Sequence, residues 1–183
     1  MTDQKLNIGI VLGSTRQGRV SPQVGEWVKG IADQRGDAAY EIVDIAEYKL
    51  PLLGEGTGQE PGIAAWNDKI NGLDGFVFIV AEYNHSITGA LKNALDYVRE
   101  PWNNKAAGIV SYGSTGGARA AEHLRGIMGE LLIADVKTHP TLSLFTDFEN
   151  FTVFKPAELH LTNINLMLDQ VVAWSGALKP LRK

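Results

Sequence analysis

No cysteine occurs among the 183 residues. Disulfides, thiolate metal sites and cysteine nucleophiles are all excluded by that absence. An excess of charge is lacking too: 17 Lys and Arg against 21 Asp and Glu leave a formal net charge of -4. Such a balance offers no long-range attraction to nucleic acid or to an anionic membrane surface. No apolar run approaches the roughly 20 residues that cross a bilayer, so no membrane contact is expected. Met1-Thr-Asp-Gln-Lys5 precedes only a short apolar segment that ends in Gly-Ser-Thr-Arg. It lacks the apolar stretch and small-residue cleavage site of a signal peptide, and a cytoplasmic location is expected. Repeats and low-complexity tracts are also missing.

What is present is globular: 44% hydrophobic and 21% charged residues. The length suits one domain over residues 1–183, large enough to bury roughly 70% of the surface its unfolded chain exposes.

Apolar runs and helical periodicities alternate along the chain. Leu6–Leu12, Tyr40–Ile45, Phe76–Ala81 and Ala106–Ser111 read as strands, and Val136–Phe145 can supply a fifth. Between them, Ser21–Gln34, Ile63–Leu73 and Ile87–Val98 read as helices, and Ala118, Ala121, Leu124, Ile127, Met128 and Leu131 repeat at helical spacing. Pro156–Leu178 is expected to close the chain as a helix, with Pro156 in its first turn. The unbroken run 76–80 suits a strand covered on both faces. Five strands separated by helices argue for an α/β fold, a three-layer parallel sheet with right-handed crossovers.

Parallel strands bring the loops that follow strands one, three and four to one sheet edge, where open α/β sheets bind ligands. The first, Gly13-Ser-Thr-Arg-Gln-Gly-Arg-Val-Ser21, carries hydroxyls and two guanidinium groups and opens a helix, a setting that favours a phosphate. It matches neither the P-loop nor the dinucleotide-fold spacing. The second, Glu82-Tyr83-Asn84-His85-Ser86, concentrates hydrogen-bonding groups on a loop held at both ends. The third, Ser111-Tyr-Gly-Ser-Thr-Gly-Gly-Ala-Arg119, has glycines that let backbone approach a flat ligand. His85 is expected to serve its turn and His123 a helix. Trp66, Tyr97, Pro101 and Trp102 suit either a core or a subunit contact.

Together these segments resemble the NADPH-dependent FMN reductase family over roughly residues 6–145. The resemblance rests on Gly13-Ser14-x-Arg16, on Glu82-Tyr83-Asn84 with Ser86, Gly89 and Leu91–Asp96, and on Gly113 with Gly116-Gly117-Ala-Arg119. Two positions depart from the pattern. Arg19 stands where a small hydroxyl residue is common, and Ala81 where a proline commonly precedes Glu-Tyr-Asn.

The resemblance implies a flavodoxin-like fold with strand order 2-1-3-4-5. It implies FMN as cofactor, NADPH or NADH as reductant, and ping-pong two-electron reduction of a small acceptor such as a quinone, azo dye, chromate or free flavin. Ser14, Arg16 and Ser21 would hold the FMN phosphate, with Arg19 and Val20 in the same loop. Glu82, Tyr83, Asn84 and Ser86 would pass beside the ribityl chain and ring. Ser111, Gly113, Ser114, Gly116 and Gly117 would border the ring's other side. No side chain is assigned a catalytic role, because the flavin carries the hydride. A homodimer, or a tetramer of the same subunits, is expected. The rival reading is a flavodoxin-type electron carrier without NADPH turnover of its own; a sugar- or nucleotide-phosphate binding protein also stays open, since the first loop specifies phosphate better than flavin.

Overall fold

The structure is a computed structural model and describes residues 5–182. Residues 1–4, on which the signal-peptide expectation rests in part, and Lys183, which closes the expected domain, lie outside the described residues. β1 (Asn7–Leu12), β2 (Ala39–Asp44), β3 (Gly75–Ala81) and β4 (Lys105–Gly113) form a parallel sheet. β5 (Ile133–Asp135) and β6 (Thr141–Ser143) both pair with β4, and the order is β2-β1-β3-β4 followed by these two pieces. This is the flavodoxin-like order 2-1-3-4-5.

The fifth strand is thus split, where an unbroken 136–145 is expected from the sequence. Ala107 pairs with Asp135 and Ser111 with Thr141, so the partner strand carries two extra residues over this interval. Pro140 has no N–H to give the ladder. Thr138 is instead held from α5 (His160–Leu178), whose Gln170 accepts from the Thr138 amide at 2.9 Å and donates to its hydroxyl at 2.9 Å.

The final helix also begins later than Pro156. A small antiparallel hairpin, β7 (Phe148–Glu149) and β8 (Val153–Phe154), fills the interval. Asp147 holds its base, accepting from the Ser143 amide at 2.8 Å, the Ala157 amide at 3.3 Å and His160 Nε2 at 2.8 Å. The turn organised by that carboxylate takes the positions a first helical turn would need.

α1 (Ser21–Asp33) and α5 cover one face of the sheet, and α2 (Pro61–Gly72), α3 (Gly89–Asp96) and α4 (Ala118–Glu130) the other. Ile8, Ile10 and Leu12 face the first layer and Val11 the second, as a strand's two-residue period requires. α5 sits close over β4 because Gly108 has no Cβ; one placed there would meet Met167 at 2.8 Å. Trp66 and Trp102, either core or contact residues by sequence, are wholly buried. Both indole N–H groups donate to the last turn of α3, to Ala94 and Leu95 carbonyls at 2.8 and 3.2 Å. Edge-to-face packing joins Trp66 to Trp102 and Trp102 to Phe76. Truncating either Trp to Ala would cost about 3–5 kcal/mol.

Candidate active site

The strand order reverses between β1 and β3, and the loops leaving their C-terminal ends, with that of β4, converge there. Such a switch point forms a crevice. The structure brings all three loops of the sequence reading together, and side chains lace them to one another.

Thr88 caps α3, accepting from the Leu91 amide at 3.0 Å, while its hydroxyl donates to the Gly13 carbonyl at 2.5 Å. The second loop is thereby tied to the first. Glu82 ties it to the third. Its carboxylate accepts from the Arg119 amide at 3.2 Å and from the Arg119 guanidinium, at the start of α4. Burial alone would raise the Glu82 carboxyl, but the Arg119 charge and the amides of Arg119 and Ala120 hold it below its ordinary value. Arg119 is visible in the sequence as a loop residue; Thr88 falls inside the helical pattern read from Ile87, and the structure makes it the cap of a helix that starts two residues after Ile87.

In the first loop the two arginines differ. Arg19 forks onto both oxygens of Asp44, at the end of β2, and donates to the Ser14 carbonyl at 2.5 Å. Its fork is filled, so it braces the loop. Asp44 itself is silent in the sequence, because its partner comes from another element. Arg16 makes no salt bridge among the described residues, and its guanidinium lies 5.8 Å from the centre of the Tyr83 ring. The Tyr83 phenol is 3.4 Å from Ser14 Oγ. Val20 stands at the cap position of α1, which receives no side-chain cap. Ser21 Oγ is enclosed beside the Tyr112 phenol and, among the described residues, makes no hydrogen bond of normal geometry; a ligand or water that supplied one would recover part of a cost of about 1–3 kcal/mol.

The second loop makes a tight turn. Tyr83 and Ser86 exchange backbone hydrogen bonds at 2.9 and 3.1 Å, and Asn84 and His85 both take left-handed conformations, φ 47° and 73°. His85 is therefore a turn residue, its ring 5.7 Å from that of His123. His123 Nδ1 lies 2.9 Å from Ser86 Oγ, so it fastens α4 to this turn.

In the third loop Ser114 is exposed, while Gly113, Gly116 and Gly117 are buried. Gly117 has φ 76°, and a Cβ there would strike the Tyr112 backbone at 2.7 Å. Ser111, expected beside the ring, is wholly buried. Its hydroxyl donates to the Gly116 carbonyl at 2.6 Å, and His139 Nε2 lies 2.7 Å away. Since the serine proton is committed to a carbonyl, His139 must donate, which fixes its proton on Nε2. Burial, reinforced by Arg125, pushes His139 down to about 4, so it is neutral near pH 7. Neither His139 nor the Leu144 and Phe151 side chains that close the crevice carry a sequence signal.

Arg16, Tyr83, Tyr112, Gly113 and Phe151 line a partly open pocket of about 140 Å³. Larger cavities of about 500 and 560 Å³ lie at the opposite sheet edge and beside α3. The smaller one lies where the converging polar groups are, and chemistry outweighs volume in choosing it.

The sequence model described as NADPH-dependent FMN reductase matches residues 6–147. The chain belongs to that family. An NAD(P)H-dependent FMN reductase of Schizosaccharomyces pombe is 35% identical over 146 residues, 75% of this chain and 73% of the relative. A quinone reductase of Escherichia coli K12 is 34% identical over 133 residues, 68% and 70% of the two chains. The solved structure of FerB, a flavoenzyme NAD(P)H:(acceptor) oxidoreductase from Paracoccus denitrificans, superposes with a TM-score of 0.72 at 18% identity, covering 94% of this chain and 98% of FerB; it shares the fold. FMN and NAD(P)H are the cofactor and reductant of this reductase family, and the orphaned Ser21 hydroxyl, unpaired Arg16 and uncapped α1 suit the FMN phosphate.

Proposed function

We propose that this FMN reductase passes two electrons from NAD(P)H to a quinone or a similar small acceptor, by a ping-pong cycle in which both substrates use one face of the flavin. The observation that carries the reading is the laced crevice with an unpaired guanidinium and an unsatisfied hydroxyl at the uncapped start of α1. Bound FMN would supply the hydride chemistry.

The chain's own residues bind and orient. Arg16, Ser14, Ser21 and the amides at Val20 and Ser21 would hold the phosphate, the guanidinium through charge-assisted bonds. Arg19 keeps that loop in shape through Asp44. Tyr83, Asn84 and Ser86 would flank the ribityl chain and ring, with Glu82 serving from behind by fixing the third loop. Gly113, Ser114, Gly116 and Gly117 would present backbone to the ring, with amides placed to favour the anionic charge of the reduced state. Ser111 and His139 set the direction of the Gly116 carbonyl beneath them. The pocket's 140 Å³ is below the roughly 300 Å³ at which small-molecule sites begin, so the exposed Tyr83 and Arg16 side chains would move apart as FMN enters.

Residues 1–183 form one domain in this reading, and the protein acts in the cytoplasm as a homodimer. Support for the dimer comes from exposed Leu52 and Leu53, the first of which lines a cavity of mixed polarity beside Thr15 and α3.

Purified protein with FMN should consume NADPH steadily in the presence of a quinone. Bound FMN without turnover would instead indicate the electron carrier, and failure to bind FMN would remove both readings. Light scattering at the dimer mass tests the assembly.

A further inference from the structure

The hairpin between β7 and β8 turns through Glu149–Thr152, closed by the Thr152 amide on the Glu149 carbonyl at 3.1 Å. Its two inner residues, Asn150 and Phe151, have φ 50° and 59°. Turns with two left-handed residues are usually Asn-Gly, since a side chain at the second position is strained. Phenylalanine here is an outlier, and backbone strain of this kind collects where function requires it.

Packing does not account for the ring. Phe151 is 56% exposed and meets Phe145, itself 67% exposed, edge to face at 5.7 Å. Phe151 also lines the crevice with Arg16, Tyr83, Tyr112 and Gly113. The hairpin that carries it is firmly held. Gln23 of α1 grips both sides of the turn, donating to the Thr152 carbonyl at 2.8 Å and accepting from the Phe154 amide at 2.9 Å. Phe154 packs on Trp27 and Phe148, and Asp147 anchors the base.

We propose that Phe151, backed by Phe145, is the acceptor-side wall of the crevice and gives the reductase its preference for flat, uncharged aromatic acceptors such as quinones. The proposal rests on the FMN reductase reading. These two rings offer apolar and π contact and no charge, so they suit a neutral planar ring and cannot recognise the phosphates of NAD(P)H. Discrimination would fall on the oxidative half of the cycle.

The test is stopped-flow measurement of the two half-reactions in the FMN-loaded protein. Phe151→Asn places in the turn a residue that tolerates the left-handed conformation, and Phe145→Ala removes the backing ring without touching the turn. For Phe151→Asn the melting temperature should hold or rise, and flavin bleaching by NADPH, which uses the same face of the flavin, should slow by less than reoxidation by a quinone does. Reoxidation by a naphthoquinone should slow roughly three- to tenfold, the scale of one aromatic contact, while reoxidation by ferricyanide is unaffected. Phe145→Ala should shift naphthoquinone reoxidation in the same direction. Equal slowing with both acceptors, unchanged quinone reoxidation, or a loss confined to FMN binding or to NADPH bleaching would overturn the proposal. If NADPH fails to bleach the parent protein's flavin, the underlying reductase reading fails instead, which is a separate result.

Discussion

Arg16 and Arg19 share one loop yet answer to different partners, and substitution should separate them. Arg16→Ala should weaken FMN binding by about 1.5–3 kcal/mol with little change in melting temperature, as loss of charge-assisted phosphate bonds implies. Arg19→Ala should lower stability by about 1–3 kcal/mol, because it strands the part-buried Asp44 carboxylate; fluorescence titration with FMN and urea denaturation distinguish the two. The sequence shows which donors a loop owns, but not which are already engaged. Arg19, Glu82 and Ser111 read there as cofactor contacts, and in the structure each is also bonded to protein by a group from a distant segment. His139 is the same case in reverse, a brace with no motif around it. Its folded-state value of about 4 lies below the unfolded 6.5. Between those values the folded chain binds fewer protons, so the contribution is complete above pH 6.5 and is lost as pH falls toward 4. His139→Gln, which can still donate to Ser111, should abolish about 1–3 kcal/mol of the wild-type stability difference between pH 7 and 5 in urea titrations. Using the difference between the two proteins cancels the other histidines.

At the scale of elements, the first four strands and helices are legible because each is a single long pattern. β3 reads as buried on both faces and is so throughout. The end of the chain was harder to read for local reasons. Pro140 and a two-residue excess break the fifth strand, and Asp147 gathers backbone and His160 into a turn where Pro156 suggests a helix start. A carboxylate's tertiary partners leave no periodicity. The cap of α3 gives a test at this scale. Thr88→Ser keeps both hydroxyl bonds and should be near neutral, whereas Thr88→Ala removes the helix cap and the tie to Gly13. It should cost about 1–2 kcal/mol in thermal or urea unfolding and weaken FMN binding as well.

Across the whole molecule, the sheet carries different chemistry at its two edges. β4 runs about 26 Å at 3.3 Å per residue, from the crevice at Gly113 to Lys105 at the other end. The buried Lys105 ammonium donates to the Ile70 and Asn71 carbonyls at 2.6 and 3.2 Å, closing the end of α2. Burial, with Arg182 adding, lowers it to about 8. The unfolded value is 10.5, so between pH 8 and 10.5 the folded chain holds fewer protons and this group's contribution grows as pH rises. Lys105→Met should therefore flatten the rise in wild-type stability from pH 8 to 10 while leaving FMN affinity unchanged; a change in flavin binding would mean the two edges communicate. The crevice edge behaves differently, because its three loops are fastened to each other through Thr88 and Glu82 as well as to the strands beneath. None of these three loops can swing aside without pulling on another. Rapid mixing of apoprotein with FMN should then show one concerted relaxation rather than a phosphate-first phase followed by slower ring docking.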